Sequence, residues 1–165
     1  MAEAAVRLPG RIAQGILARG ALVLLRLYLG AIFLVAVTPK LRTDFAPRFN
    51  GMLEKVALVD GHPFYQLFVR QVVQPHAAVF AAILPCAELL IGVALVLGLL
   101  TRLAAAGAIL LLLNYLLAKG AWFWYPSSND AAFILIALAL LIGAAGRTWG
   151  LDALLARRWP RGVLW

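Results

Sequence analysis

The chain has 165 residues, of which 64% are hydrophobic and 13% charged, and its mean hydropathy is +0.93, a composition that excludes an ordinary water-soluble domain. Its formal net charge of +8 points to cations retained on the cytoplasmic side of a membrane and not to nucleic acid. The single cysteine, Cys86, forms no disulfide within the chain, and the two histidines, His62 and His76, lie outside the membrane interior. No metal centre, haem or covalent cofactor is therefore expected.

Four apolar segments predict an all-α integral membrane four-helix bundle, a single transmembrane domain spanning the whole chain. They cover about residues 16–37, 76–100, 102–119 and 130–148. A helix needs roughly 20 mostly apolar residues to cross about 30 Å of hydrocarbon. The third and fourth runs are short, but Arg102, Lys119 and Arg147 at their ends extend their stems through the headgroup region.

Residues 1–15, with Pro9-Gly10, read as a frayed tail. The run that follows is too long for a cleaved signal peptide, carries Arg26 near its middle and lacks an A-x-A site, so it reads as the first membrane helix. Residues 38–75 form an interfacial connection. Phe45, Phe49, Met52, Leu53 and Val56 recur at helical spacing, as do Phe64, Leu67, Phe68 and Val72, with a break at Asp60-Gly61 and His62-Pro63. Two short amphipathic helices follow from that pattern, capping the outer end of the bundle or docking a partner. Pro85 predicts a kink within the second span.

Little more than Thr101-Arg102 joins spans two and three, which makes them antiparallel neighbours. Trp122, Phe123, Trp124 and Tyr125 read as an interfacial aromatic belt, and Ser127, Ser128, Asn129 and Asp130 as caps for the fourth span. Residues 151–159 set Leu151, Leu154 and Leu155 against Arg157 and Arg158, the pattern of a surface helix. Arg7, Arg11, Arg19, Arg102, Arg147, Arg157, Arg158 and Arg161 fall on one side. Lys40, Arg42, Arg48, Lys55, Arg70 and Lys119 fall on the other, which favours cytoplasmic termini.

Arg26 and Glu88 are the charges nearest the middle of a span. An arginine at the centre of a membrane helix costs roughly 2.5 to 3.5 kcal/mol on insertion scales, so it requires a partner. Counted from the span midpoints, the two charges share a depth, and Gly30 and Gly92 on the same faces permit close approach. An Arg26–Glu88 ion pair is expected, with Asn114 completing an intramembrane polar cluster. The cluster has two readings: a buried pair that fixes helix register, or a site that holds a quinone headgroup, relays a proton or engages a partner. Cys86, on another face than Glu88, reads as core packing. His62, Tyr65, His76, Trp122, Trp124 and Tyr125 are candidates for quinone contact or interfacial anchoring at the outer end.

Residues 26–41 (RLYLGAIFLVAVTPKL), residues 88–106 (ELLIGVALVLGLLTRLAAA), Asn129 and residues 146–152 (GRTWGLD) together resemble the DoxX/DoxD-like family of small four-helix membrane proteins, over about residues 22–155. Lys40, Arg102, Asn129, Arg147 and Asp152 match its pattern without assigned roles, beside Arg26 and Glu88. One departure is Val37-Thr38-Pro39, where members often carry a glycine before the lysine. The resemblance implies an integral subunit of a membrane oxidoreductase, as in relatives that look like parts of thiosulfate:quinone oxidoreductase, or a membrane partner of soluble redox or sulfur-transfer proteins. The expectation is a multi-pass protein of the cell inner membrane that anchors a partner oxidoreductase and contacts quinone. The alternatives are a structural or assembly subunit without chemistry of its own, and a small transporter, against which the lack of a paired repeat argues.

Overall fold

The computed structural model describes residues 8–41, 45–125 and 128–159, the first six as backbone alone. Arg7, Arg42 and Arg161 of the charge count, and Ser127 of the capping segment, lie outside these residues. Among the described residues seven α-helices follow in order: α1 Leu8–Val37, α2 Phe45–Met52, α3 Pro63–Phe68, α4 Ala77–Leu97, α5 Thr101–Ala118, α6 Asp130–Gly143 and α7 Asp152–Arg158. The long helices make a ring in which α1 packs on α4, α4 on α5, α5 on α6 and α6 on α1. One end of the ring holds the α4–α5 turn, the end of α6 and α7. The other holds the 38–75 connection and the α5–α6 loop.

The interior follows from side-chain size. Leu29 and Phe33 of α1, Leu95 of α4, and Ile134 and Leu140 of α6 close on a row of small residues, Ala104, Ala105 and Ala108 of α5. Small residues let membrane helices approach closely, where packing and not water exclusion holds them together. Gly30 and Gly92 do the same for α1 and α4: a Cβ on Gly30 would stand 3.1 Å from the Gly92 carbonyl oxygen and 2.8 Å from Val96. Large apolar side chains such as Leu24, Val35, Leu90, Leu110 and Ile142 face outward, which suits hydrocarbon and not water. The chain is thus an all-α membrane bundle.

Three stretches are long and apolar enough to cross a bilayer: Gln14–Val37, Pro63–Leu97 and Thr101–Ala118. The fourth differs from its expected extent of 130–148. Helix α6 stops at Gly143, where Ala144 turns left-handed (φ 47°) and a 3-10 turn, Ala145–Arg147, follows. At 14 residues it is about 21 Å long. The tail reading is corrected for residues 8–15, because α1 is helical from Leu8, and residues 1–7 of that reading lie outside the described residues; Pro9 sits in the first turn, where a missing N–H costs nothing. Gln14–Arg19 of α1 are exposed, so the helix projects a few turns beyond its neighbours.

The connection does form two helical segments with the break at residues 58–62. Each ends in a π turn, Leu53–Ala57 and Val69–Val73, and the second passes through a 3-10 turn directly into α4. Phe49, Leu53, Ala57, Tyr65, Val69 and Val73 bury against Ala81, making a second apolar cluster with α4. Phe64, Leu67, Phe68 and Val72, the face read from the sequence as the apolar one, point outward. The segment is apolar on both sides, as a helix between protein and lipid must be. Cys86 likewise faces outward and not into the core. Helix α4 runs through the buried Pro85 without interruption.

Candidate functional site

Two buried polar groups occupy opposite ends of the bundle. At the α4–α5 turn, Arg26 is 2% exposed. Its Nη1 donates to the carbonyl oxygens of Ala145 (3.0 Å) and Thr148 (3.3 Å), and its Nη2 to that of Trp149 (3.1 Å). These carbonyls lie in the turn that follows α6 and in the residues after it, so the guanidinium ties down the segment that leaves α6. Asp152 reciprocates: its carboxylate accepts from the backbone N–H groups of Leu100 (2.6 Å) and Thr101 (2.9 Å), which open α5. The Leu151 and Asp152 N–H groups in turn donate to the carbonyls of Leu97 and Gly98, where α4 ends. Gly98, at φ +65°, admits the guanidinium, since a Cβ there would press on Arg26 Nη1. The segment between α6 and α7 thus satisfies the ends of α4 and α5 and is itself held by Arg26, and the negative carboxylate sits where the α5 dipole is positive.

At the connection end, Glu88 is 1% exposed. Its Oε1 accepts from the Lys40 ammonium, with which it forms an ion pair, and from the Tyr115 hydroxyl at 2.5 Å. Lys40 Nζ also approaches Tyr115 Oη at 3.5 Å. Lys40 stands just past the end of α1, its side chain 19% exposed, and reaches back along the helix to the carboxylate. Glu88 Oε2 is buried without a hydrogen-bond partner among the described residues. One helical position from Tyr115, Asn114 accepts at Oδ1 from the Tyr65 hydroxyl, also at 2.5 Å.

Tyr65, Asn114 and Tyr115 line a cavity of about 460 Å³ enclosed by the connection helices, α4 and α5. Its other walls are apolar apart from Lys119 at the outer rim, and include Phe49, Leu53, Phe80 and Leu84. Met52, Phe68, Ile83 and Leu110 belong both to the cavity and to the outward surface. The opening therefore faces the hydrocarbon phase.

The expected Arg26–Glu88 pair does not form, and Arg26, Glu88 and Asn114 are not one cluster. The antiparallel contact of Gly30 with Gly92 and Val96 sets Glu88 opposite the last turn of α1 and Arg26 opposite the last turn of α4. The two charges are displaced along the bundle by about 12 Å at 1.5 Å per residue. Counting from the midpoint of an apolar run fails for α1, because that helix extends beyond its neighbours and its midpoint is not theirs.

The other expected residues disperse. His62 Nε2 lies 3.3 Å from the Ala121 carbonyl oxygen, and its ring meets Trp122 edge-on at 4.8 Å, fastening the break in the connection to the α5–α6 loop. His76 Nδ1 lies 3.0 Å from the Val72 carbonyl oxygen at the entry to α4. Trp124 and Tyr125 are exposed. Of the six outer-end candidates only Tyr65 reaches the cavity. Asn129 caps α6 by position but makes no side-chain cap bond; Asp130 Oδ2 instead accepts from Lys119 Nζ (2.7 Å) and Ser128 Oγ (2.9 Å). Arg102 is half-buried in the first turn of α5 and Arg147 is exposed. Tyr115 went unread in the sequence. Its signal was a phenol inside an apolar helix, next to an asparagine.

An all-α membrane protein with a lipid-facing cavity behind a buried ion pair is the class these features define. The chain belongs to the DoxX family, whose model matches residues 21–123. The match includes Arg26, Lys40, Glu88, Arg102, Asn114 and Tyr115 and ends before Asn129, Arg147 and Asp152. No curated protein and no solved structure matches the chain.

Proposed function

We propose that this protein is the membrane subunit of a redox complex of the inner membrane, anchoring a partner oxidoreductase and holding a quinone in the cavity between the connection helices, α4 and α5. The carrying observation is that cavity. It has the volume of ordinary small-molecule sites, apolar walls and a few convergent polar groups, and its mouth is lined by side chains exposed to the bilayer. A molecule dissolved in hydrocarbon enters such a site sideways, tail in lipid and polar ring toward Asn114 and Tyr115. Electrons come from the partner, because the quinone chemistry needs a donor and this chain's contribution is to bind, orient and exclude water.

Under this reading both termini are cytoplasmic, and the Arg26–Asp152 knot faces the cytoplasm. Affinity purification in mild detergent, with solvent extraction of bound quinone and mass identification of co-eluting chains, tests it. Quinone near one per chain together with a redox partner is the expected result. A lone, quinone-free chain overturns the proposal in favour of a structural or assembly subunit.

A further inference from the structure

Four side chains supply the polar wall of the cavity: Tyr65, Asn114, Tyr115 and Lys119. Both tyrosines have their single hydroxyl hydrogen committed to a protein acceptor, and Lys119 spends one of its three at the rim, outside the apolar interior. The Tyr65 hydroxyl donates to Asn114 Oδ1, the Tyr115 hydroxyl to Glu88 Oε1, and Lys119 Nζ to Asp130 Oδ2 at the outer rim, where Lys119 is 51% exposed. Asn114 remains. Its amide carries one acceptor and two N–H donors; the acceptor is taken by Tyr65, and among the described residues no protein group takes the donors. An asparagine inside a membrane helix is costly unless its amide is satisfied. The group that satisfies it must bring an acceptor oxygen and an apolar body.

Building on the quinone reading above, we infer that the Asn114 amide N–H groups bind a carbonyl oxygen of the occupant's ring. Tyr65 is a positioning residue: by donating to Oδ1 it fixes which end of the amide the ligand meets. The ion pair behind Tyr115 acts in the same sense, since Glu88 Oε1, bonded also to Lys40, accepts the Tyr115 proton and keeps it turned away from the cavity. A phospholipid ester offers the same carbonyl chemistry on an acyl stem. The flat ring fits better between Phe80, Phe49 and the tyrosines than a branched glycerol backbone does.

Isothermal titration of the full-length, detergent-purified protein with decylbenzoquinone and with decylbenzene, which has the same tail and ring but no carbonyl, isolates the amide's contribution. The wild type is expected to bind the quinone about tenfold more tightly, the worth of a buried hydrogen bond to a neutral group. Asn114→Leu should bring that ratio near one while leaving decylbenzene binding unchanged, which also shows that the cavity is intact. Asn114→Asp, closer in shape, should lower the ratio as well, because it replaces donors with acceptors. Tyr65→Phe should reduce it about threefold, since a freed amide turns its oxygen to the ligand part of the time, whereas a merely structural Tyr65 would affect both probes equally. Equal binding of both probes by the wild type overturns the role of Asn114 and leaves the cavity reading standing. Failure of both probes to bind removes the quinone reading itself. Displacement of decylbenzoquinone by equimolar short-chain phosphatidylcholine overturns the choice of occupant.

Discussion

The two ends of the bundle treat a buried charge in different ways. Around Arg26 the two Nη atoms, the Asp152 carboxylate, the ends of α4 and α5 and the turn after α6 bond one another across four elements, with Arg26 Nε and Thr101 Oγ1 left over among the described residues. Around Glu88 the bonding is lopsided: Oε1 takes both Lys40 and Tyr115, Oε2 takes none among the described residues, and Asn114 keeps its donors. A charge bonded to backbone carbonyls of another element fastens helices. A group with hydrogen-bonding capacity left over, beside a cavity, is where a ligand fits, because the molecule that completes it is repaid in a low-dielectric setting. The intramembrane charge that stands out most in the sequence, Arg26, is thus the architectural one.

Removing the fastener should have the largest effect. Arg26→Met takes the donor from the Thr148 and Trp149 carbonyls and the cation from beside Asp152, and an expected loss of about 3–5 kcal/mol should appear as a collapse in the yield of monodisperse protein and in its melting temperature. A melting temperature like that of the wild type would mean the knot does not hold the helix ends. Lys40→Met should cost about 3 kcal/mol by leaving Glu88 buried without its counter-ion.

Pairing sharpens the contrast. Lys40→Met with Glu88→Gln should recover much of the single-variant loss, while Arg26→Met with Glu88→Gln should be additive within about 0.5 kcal/mol, as for sites without shared partners. Thermal unfolding of the wild type, the three single variants and the two double variants in one detergent reads both cycles, and coupling in the second would restore the Arg26–Glu88 pairing excluded by the geometry.

Asp152→Asn should cost about 1–3 kcal/mol. The amide keeps one acceptor for the α5 terminus but turns an NH2 toward the second backbone N–H and loses the charge, and in so buried a site the deficit should persist at high salt. Gly92→Ala should cost about 1–2 kcal/mol, since the new Cβ meets Leu34 at 2.8 Å and the Gly30 carbonyl oxygen at 3.2 Å. An unchanged melting temperature would break the register argument that separates the two charges.

Much of the architecture was legible in residue order. The apolar runs, the antiparallel turn at Thr101, the break at residues 58–62 and the close approach at Gly30 and Gly92 all rest on local chemistry: hydropathy, short connections, turn residues and side-chain size. The Gly30–Gly92 contact even contained the correction to the ion pair, because an antiparallel register through those glycines sets Arg26 well past Glu88. Where α6 stops was not legible, since the turn that follows it is held by Arg26, more than 100 residues away in sequence.

What the chain alone determined is therefore the solvent it lives in and the helices it forms, because transfer to hydrocarbon and backbone hydrogen bonding act segment by segment. Which polar groups meet was decided only when the helices packed. Depth, rotation and overhang are properties of the assembled ring, and a shift of two turns moves a guanidinium from a carboxylate to a helix end.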